Sequence, residues 1–406
     1  MSQRANRKLL IIGFLGFVMV GMPNAALGVA WASMQVSFGV ALDSIGVLLT
    51  AITIGRLVMS VYSGRVIGWM GLGNYMLAGS VIMLGGLLGF ALAPLWPVLV
   101  LSALVFGFGV TALNTGINNH AAAHYGSGTM NWLHAWYGLG SALGPLVVTL
   151  VVIRLGLDWR WTYGVFILTQ IALTLVFALT RAEWKLDQQE RTAARAEPER
   201  PRATLRETLA VIPALYGVIL FFLHGGIQIG TGQLTNSLLI DSRGVDPATA
   251  GLWISIYWAG LTVGRIFTGL VVSRVGNNRY MRVSMFLTII GTLLLWANLD
   301  DNLTFLGIAI IGFTLGPVLP TLLADTPRRV GLRHQANTVG LQIAASGIGL
   351  ALLPGLAAVV AERVGLETIP IYLFLLALVS FVIHEGLILY ERREHRLRTA
   401  EVLAGD

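Results

Sequence analysis

Cysteine is absent from this chain. That excludes disulfides, thiol chemistry and cysteine-based metal sites. Charge is scarce as well: 12% of the 406 residues are charged, against about 25% in an ordinary soluble domain. Negative charge is rarest where it would cost most. There are 20 Asp and Glu residues, and nearly all fall in short polar segments between long apolar runs. No Ser-His-Asp constellation, phosphate-binding loop or metal cluster is visible in the sequence. The reading is therefore not an enzyme, with no cofactor and no metal.

What is present is 55% hydrophobic sequence, gathered into runs at 9–32, 44–68, 75–93, 96–118, 130–153, 161–180, 209–231, 248–272, 281–299, 303–324, 335–361 and 368–390. About 20 apolar residues cross a bilayer core as a helix. The expected fold class is an all-α membrane protein with twelve transmembrane helices. The first run follows Arg4, Arg7 and Lys8 and imitates a signal peptide, but it exceeds the usual apolar length of one and reads as an uncleaved span. Basic residues concentrate on one side. Arg65, Arg274, Arg279, Arg282, Arg328, Arg329, Arg333 and the basic tail from Arg392 share a side with the N-terminus, while Arg154, Arg160, Arg243 and Arg363 face the other. The positive-inside rule then puts both termini in the cytoplasm, in a cytoplasmic membrane. The net charge of +7 is on this reading a topology signal, not a nucleic-acid one. The partners expected are a small solute and the bilayer, for a monomeric chain.

The chain divides into residues 1–180, a charged connector at 181–208 and residues 209–406, with six spans on each side. The halves look alike: Gly64, Gly71, Tyr75-Met76 and Gly107-Phe108 recur 205 residues later as Gly269, Gly276, Tyr280-Met281 and Gly312-Phe313. The Gly55-Arg56 and Gly264-Arg265 pairs recur one helical turn out of step, so the two arginines are not strict equivalents.

These residues resemble a known family. The run Asn131-Trp132-Leu133-His134-Ala135-Trp136-Tyr137-Gly138-Leu139-Gly140, followed by Gly144-Pro145, is similar to the fifth span of a major facilitator branch holding fucose-permease-like and sodium-glucose-transporter-like carriers. Asp158 to Tyr163, Trp258 to Arg265 and Gly312 to Thr321 resemble its later segments. The resemblance implies two six-helix repeats rocking around a solute site near mid-membrane. There are departures. Gly68 and Trp69 stand where the family's Asp-Arg pair is usual between spans two and three, and Ser273 replaces the acid in the second half. Asn114 and Gln228 stand where relatives often carry acids, so a carboxylate proton site is not expected.

Polar residues inside the apolar runs are the site candidates, since intramembrane polar groups are costly and mark function. Asn24, Asn114, Asn118, His134, Tyr137, His224, Gln228 and Trp258 are the candidate solute-binding residues. Amides and rings of this kind suit a neutral sugar or polyol, the first choice of cargo, moved by alternating access. The alternatives are an organic anion or drug-like metabolite held by Arg56, or a membrane sensor that moves nothing. Arg56, Arg265 and Asp325 are the charge or gating candidates. His120 and His124 are expected to face water at a turn. Trp69, Trp96, Trp159, Trp161 and Trp184 are expected in the interfacial belt.

Overall fold

A computed structural model describes residues 3–125, 127–184 and 203–404. Most of the connector expected at 181–208 lies outside these residues, as does the side chain of Asn131. Among the described residues the structure is helical, with twelve helices long and apolar enough to cross a membrane. They are Arg7–Phe38, Leu42–Met70, Leu72–Leu92, Trp96–His124, Trp132–Arg154, Arg160–Thr180, Ile212–Ser242, Pro247–Val275, Asn277–Ala297, Asp301–Val330, Leu332–Val364 and Thr368–Glu394, called here spans one to twelve. Several run a turn or more past the apolar runs because polar residues continue the helix beyond the bilayer. Odd-numbered spans begin at one face, termed the near face, and end at the far face.

Each helix forms because a backbone amide in hydrocarbon has no water to bond and must find its partner within the segment. The stops are short. Gly71 and Gly276 take φ of 81° and 83° and end spans two and eight at equivalent points. Only glycine reaches such angles without strain. Span ten is interrupted: one helix covers Asp301–Leu315, a second covers Val318–Val330, and Gly316-Pro317 lies between. Proline there lacks the N–H that would continue the ladder.

The duplication visible in the sequence is reproduced atom for atom. Ser63 Oγ meets the Tyr75 hydroxyl at 2.6 Å, and Thr268 Oγ1 meets the Tyr280 hydroxyl at 2.6 Å. Gly107 packs on the carbonyl of Ile52, and Gly312 on that of Tyr257. Gly55 and Gly260 lie against the backbones of spans four and ten. The structural equivalent of Gly55 is thus Gly260, and Arg56 and Arg265 occupy different positions in their halves.

The halves meet along two seams, span two against span eleven and span five against span eight, with spans one and seven crossing between them. Both seams are tight toward the far face. Gly46 abuts Gly355, Thr53 and Leu57 reach Gly347, and Gly251 abuts Thr149. The Leu42 N–H donates to Glu362 at 2.9 Å. Toward the near face the same helix faces part. Ser60 and Gly64 continue the seam of span two, Gly340 and Ala336 that of span eleven, and Gly269 that of span eight; all are exposed. Open space surrounds Gly64, Gly269 and Gly340. The molecule is closed at the far face and splayed at the near face.

Candidate functional site

Between the seams, somewhat past mid-depth, a small cavity is lined by residues of both halves. Span one contributes Pro23 and Asn24, span two Thr53 and Arg56, span five Tyr137, span seven Gln233, and span eight Trp258. Leu27, Ile52, Phe90, Phe106, Ile229 and Leu350 complete an apolar wall. Its free volume is about 40 Å³, enough for a few waters. The far-closed state thus leaves no room at this level for a bound metabolite.

Asn24 is the hub. Its amide nitrogen donates to the Val20 carbonyl at 2.7 Å, one turn back in the Pro23 helix. Its side-chain oxygen accepts from Arg56 Nη2. Its own carbonyl accepts from Gln233 Nε2 at 2.9 Å, which ties span one to span seven. Three residues of the cavity wall keep a buried polar atom without a partner: Arg56 Nε, Gln233 Oε1 and Trp258 Nε1. Buried polar atoms are nearly always paired, so two idle donors and one idle acceptor around one void describe what an occupant would bring.

Arg265 lies nearby and is held differently. Its Nε donates to the Gly316 carbonyl at 3.0 Å, at the break in span ten. The carbonyls ending a helix carry partial negative charge, so a cation is well placed there. Arg265 does not snorkel to the surface: it is within electrostatic reach of Tyr137, Tyr257, His134 and His224. Among the described residues, neither Arg56 nor Arg265 has a carboxylate partner.

The candidates drawn from the sequence separate into two levels. Asn24, Arg56, Tyr137 and Trp258 line the cavity. Asn114, Asn118, His134, His224 and Gln228 are outside its lining. Asn118 Nδ2 donates to Asn114 Oδ1 at 2.7 Å on span four, two turns nearer the near face than Phe106. His134 is exposed where spans five and eight part, with Phe17 edge-on at 5.6 Å. His224 is buried, and the Gln228 carbonyl accepts from the Tyr257 hydroxyl at 2.7 Å. Gln233 stood outside the candidate set. Its signal was available, since Gly230 and Gly232 flank it as small residues flank a close helix approach.

The histidine and tryptophan expectations need correction. His120 does not face water: it is buried, stacked on His124 at 4.4 Å and met edge-on by Trp184 at 4.7 Å. Trp159 and Trp184 are buried rather than in an interfacial belt, whereas Trp69 and Trp161 are exposed. The indole N–H groups of these two have each found a hydroxyl, Ser37 for Trp159 and Thr180 for Trp184, which removes the reason to sit at the interface. Trp136 is stacked on Phe14 at 5.5 Å, so that face is occupied. Asp325 bonds Asn277 at 2.7 Å and pairs with Arg328 and Arg329, all within the second half. Glu385 is paired with Arg282 at 2.6 Å.

Comparison with known proteins agrees with this architecture. A yeast protein, bypass of stop codon protein 6 of Saccharomyces cerevisiae, is 29% identical over 170 residues, 39% of this chain. That match spans only 34% of the yeast protein. The glucose/mannose transporter of Bacillus subtilis is 21% identical over 78% of this chain and 79% of its own length. The crystal structure of a nucleoside transporter, in a mutant form, superimposes with a TM-score of 0.77 at 18% identity, covering 94% of this chain and 99% of that one. The family model described as Major Facilitator Superfamily matches residues 13–241 and 234–403, nearly the whole of both halves. The chain is a multi-pass membrane protein belonging to the Major Facilitator Superfamily.

Proposed function

We propose that this protein carries a small hydroxyl-bearing organic anion, such as a sugar acid, across a cytoplasmic membrane by alternating access. One observation carries the choice of cargo: two arginines inside the bundle, Arg56 and Arg265, without a carboxylate partner among the described residues. A buried guanidinium costs several kcal/mol unless compensated, and an anionic solute supplies the compensation that the protein does not. The idle donors Arg56 Nε and Trp258 Nε1 suit carboxylate or hydroxyl oxygens, and the idle Gln233 Oε1 suits a hydroxyl donor. The near-face vestibule, with Asn114, Asn118, His134 and Gln228, is the route by which the solute reaches this level. The distribution of arginine supports both termini lying in the cytoplasm.

The sequence alone ranks a neutral sugar or polyol first, and the B. subtilis glucose/mannose relative favours it. The arginine pair ranks the anion above it. Counterflow in proteoliposomes separates the two. Labelled aldonates or uronates should exchange, and the neutral parent sugars should not. Equal exchange of neutral sugars, unaffected by Arg56→Gln, would reject the anion. No exchange of any solute would favour the sensor reading.

A further inference from the structure

A second void opens at the near face on the rim of the second half, about 550 Å³ in size, between the start of span nine and the end of span twelve. Asn278, Arg279, Arg282, Ile388, Glu391 and Arg392 line it. We propose that this groove binds the phosphate headgroup of an anionic phospholipid.

The charges leave little alternative to an anion. Glu391, the one acid in the lining, is ion-paired with Arg329, its Oε1 lying 3.2 Å from Arg329 Nε. Arg282 holds Glu385 in a two-pronged bond at 2.6 and 2.8 Å. The Asn278 side-chain oxygen accepts from Arg329 at 3.0 Å, which leaves its amide nitrogen free to donate. Arg279 and Arg392 have no carboxylate partner among the described residues, and Arg392 is exposed. The groove therefore presents donors of positive charge, while the charge of its one acid is offset by Arg329. Basic pockets between helices at this depth are built for phosphate headgroups.

The surroundings point to a lipid rather than a soluble phosphate. Val283 and Phe286 follow Arg279 at helical spacing and are half exposed; Val382 and Leu389 precede Arg392 on span twelve and are more exposed still. They form an apolar track leading from the groove into the bilayer, where acyl chains would lie. A soluble anion would gain nothing from it.

The test uses the full chain in detergent and the double variant Arg279→Gln/Arg392→Gln. Native mass spectrometry would titrate phosphatidylglycerol against phosphatidylcholine of the same chains, with inorganic phosphate and glycerol 3-phosphate as soluble competitors. The proposal expects phosphatidylglycerol to be retained in preference to phosphatidylcholine. It expects the variant to bind one fewer phosphatidylglycerol at a given concentration, or to bind it about tenfold more weakly, with an unchanged lipid-free melting temperature. Equal retention of the two lipids overturns it, as does an unaltered variant. Displacement of the lipid by soluble phosphate at equal concentration also overturns it, in favour of a site for free anions.

Discussion

Arg265 Nε donates to the carbonyl of Gly316 at 3.0 Å, so the guanidinium of span eight sits on the end of the half-helix that stops in span ten. The contact joins a buried cation to a span that is broken in mid-course. A solute that drew Arg265 away would release the Gly316 carbonyl, and with it the joint of span ten.

Arg56→Gln and Arg265→Gln should each raise the melting temperature of the empty carrier, because a guanidinium inside the bundle without a carboxylate partner costs several kcal/mol. The same variants should lower anion exchange by about 100-fold, the loss expected when one partner of a buried charge contact is removed. Melting curves and counterflow on the same preparations check the opposite signs. A variant that melts lower and transports normally would contradict the assignment.

Two unneutralised arginines also disfavour the return of an empty carrier, since the occluded empty state must bury both charges unpaired. Exchange of anion for anion should therefore run at least tenfold faster than net efflux. The magnitude corresponds to about 1.4 kcal/mol of extra barrier. Efflux of preloaded label into solute-free and solute-containing buffer measures the ratio.

Glu362 accepts the Leu42 N–H across the far-face closure. Glu362→Ala should weaken that closure by about 1–3 kcal/mol, a 5- to 150-fold shift toward the far-open state. The chain has no cysteine, so a single cysteine at Leu49 on the cavity wall is a clean reporter. Its labelling from the far side should rise in the variant.

Gly64, Gly269 and Gly340 are helical, exposed and surrounded by open space. Glycine inside a helix costs about 0.5–1 kcal/mol relative to alanine, so packing in this state does not account for them. They are expected to form the near-face seam when the molecule closes there. Leucine at Gly64 or Gly269 should leave the melting temperature unchanged or higher, yet cut exchange by about tenfold or more by blocking closure.

At the far rim, Glu367 holds Arg243 through contacts of 2.7 and 2.9 Å, while the Arg243 side chain is only 3% exposed and also reaches the Leu295 carbonyl at 2.8 Å. The Arg243 hydrogen bonds keep the Glu367 carboxyl below its ordinary value of 4.5. Its contribution is therefore complete above about pH 4.5 and is lost as pH falls through the lowered folded value. Glu367→Ala should destabilise the protein by about 1–2 kcal/mol, less than the loss of a fully buried pair because the Glu367 side chain is half exposed, and chiefly because it strands Arg243. The wild type should converge on the variant's melting temperature in acid.

The fold was legible because it follows from composition and length. Each apolar run is long enough to cross a bilayer, and a helix is the way such a run satisfies its own backbone. The duplication was legible too, because glycines at close helix crossings and turns are hard to replace: Gly71 with Gly276 and Gly107 with Gly312 mark the same contacts in both halves. The site was half legible. Asn24, Arg56, Tyr137 and Trp258 stood out as polar or aromatic residues in apolar surroundings. That same signal marked Asn114, Gln228 and His224, which line no part of the cavity, because polarity in a span says nothing of which way the residue faces.

The amino-acid sequence by itself determined that this chain is a twelve-span, duplicated membrane protein whose interior holds amides and arginines in place of acids. Those are properties of single segments, set by hydrophobic length and by what each residue costs in hydrocarbon. Only the tertiary structure decided that Asn24 receives Arg56, that Gln233 bridges the halves and that the far face is shut. These depend on which helix faces meet between segments far apart in the chain. Two packings of the same helices differ too little in buried surface for any local pattern to record the choice.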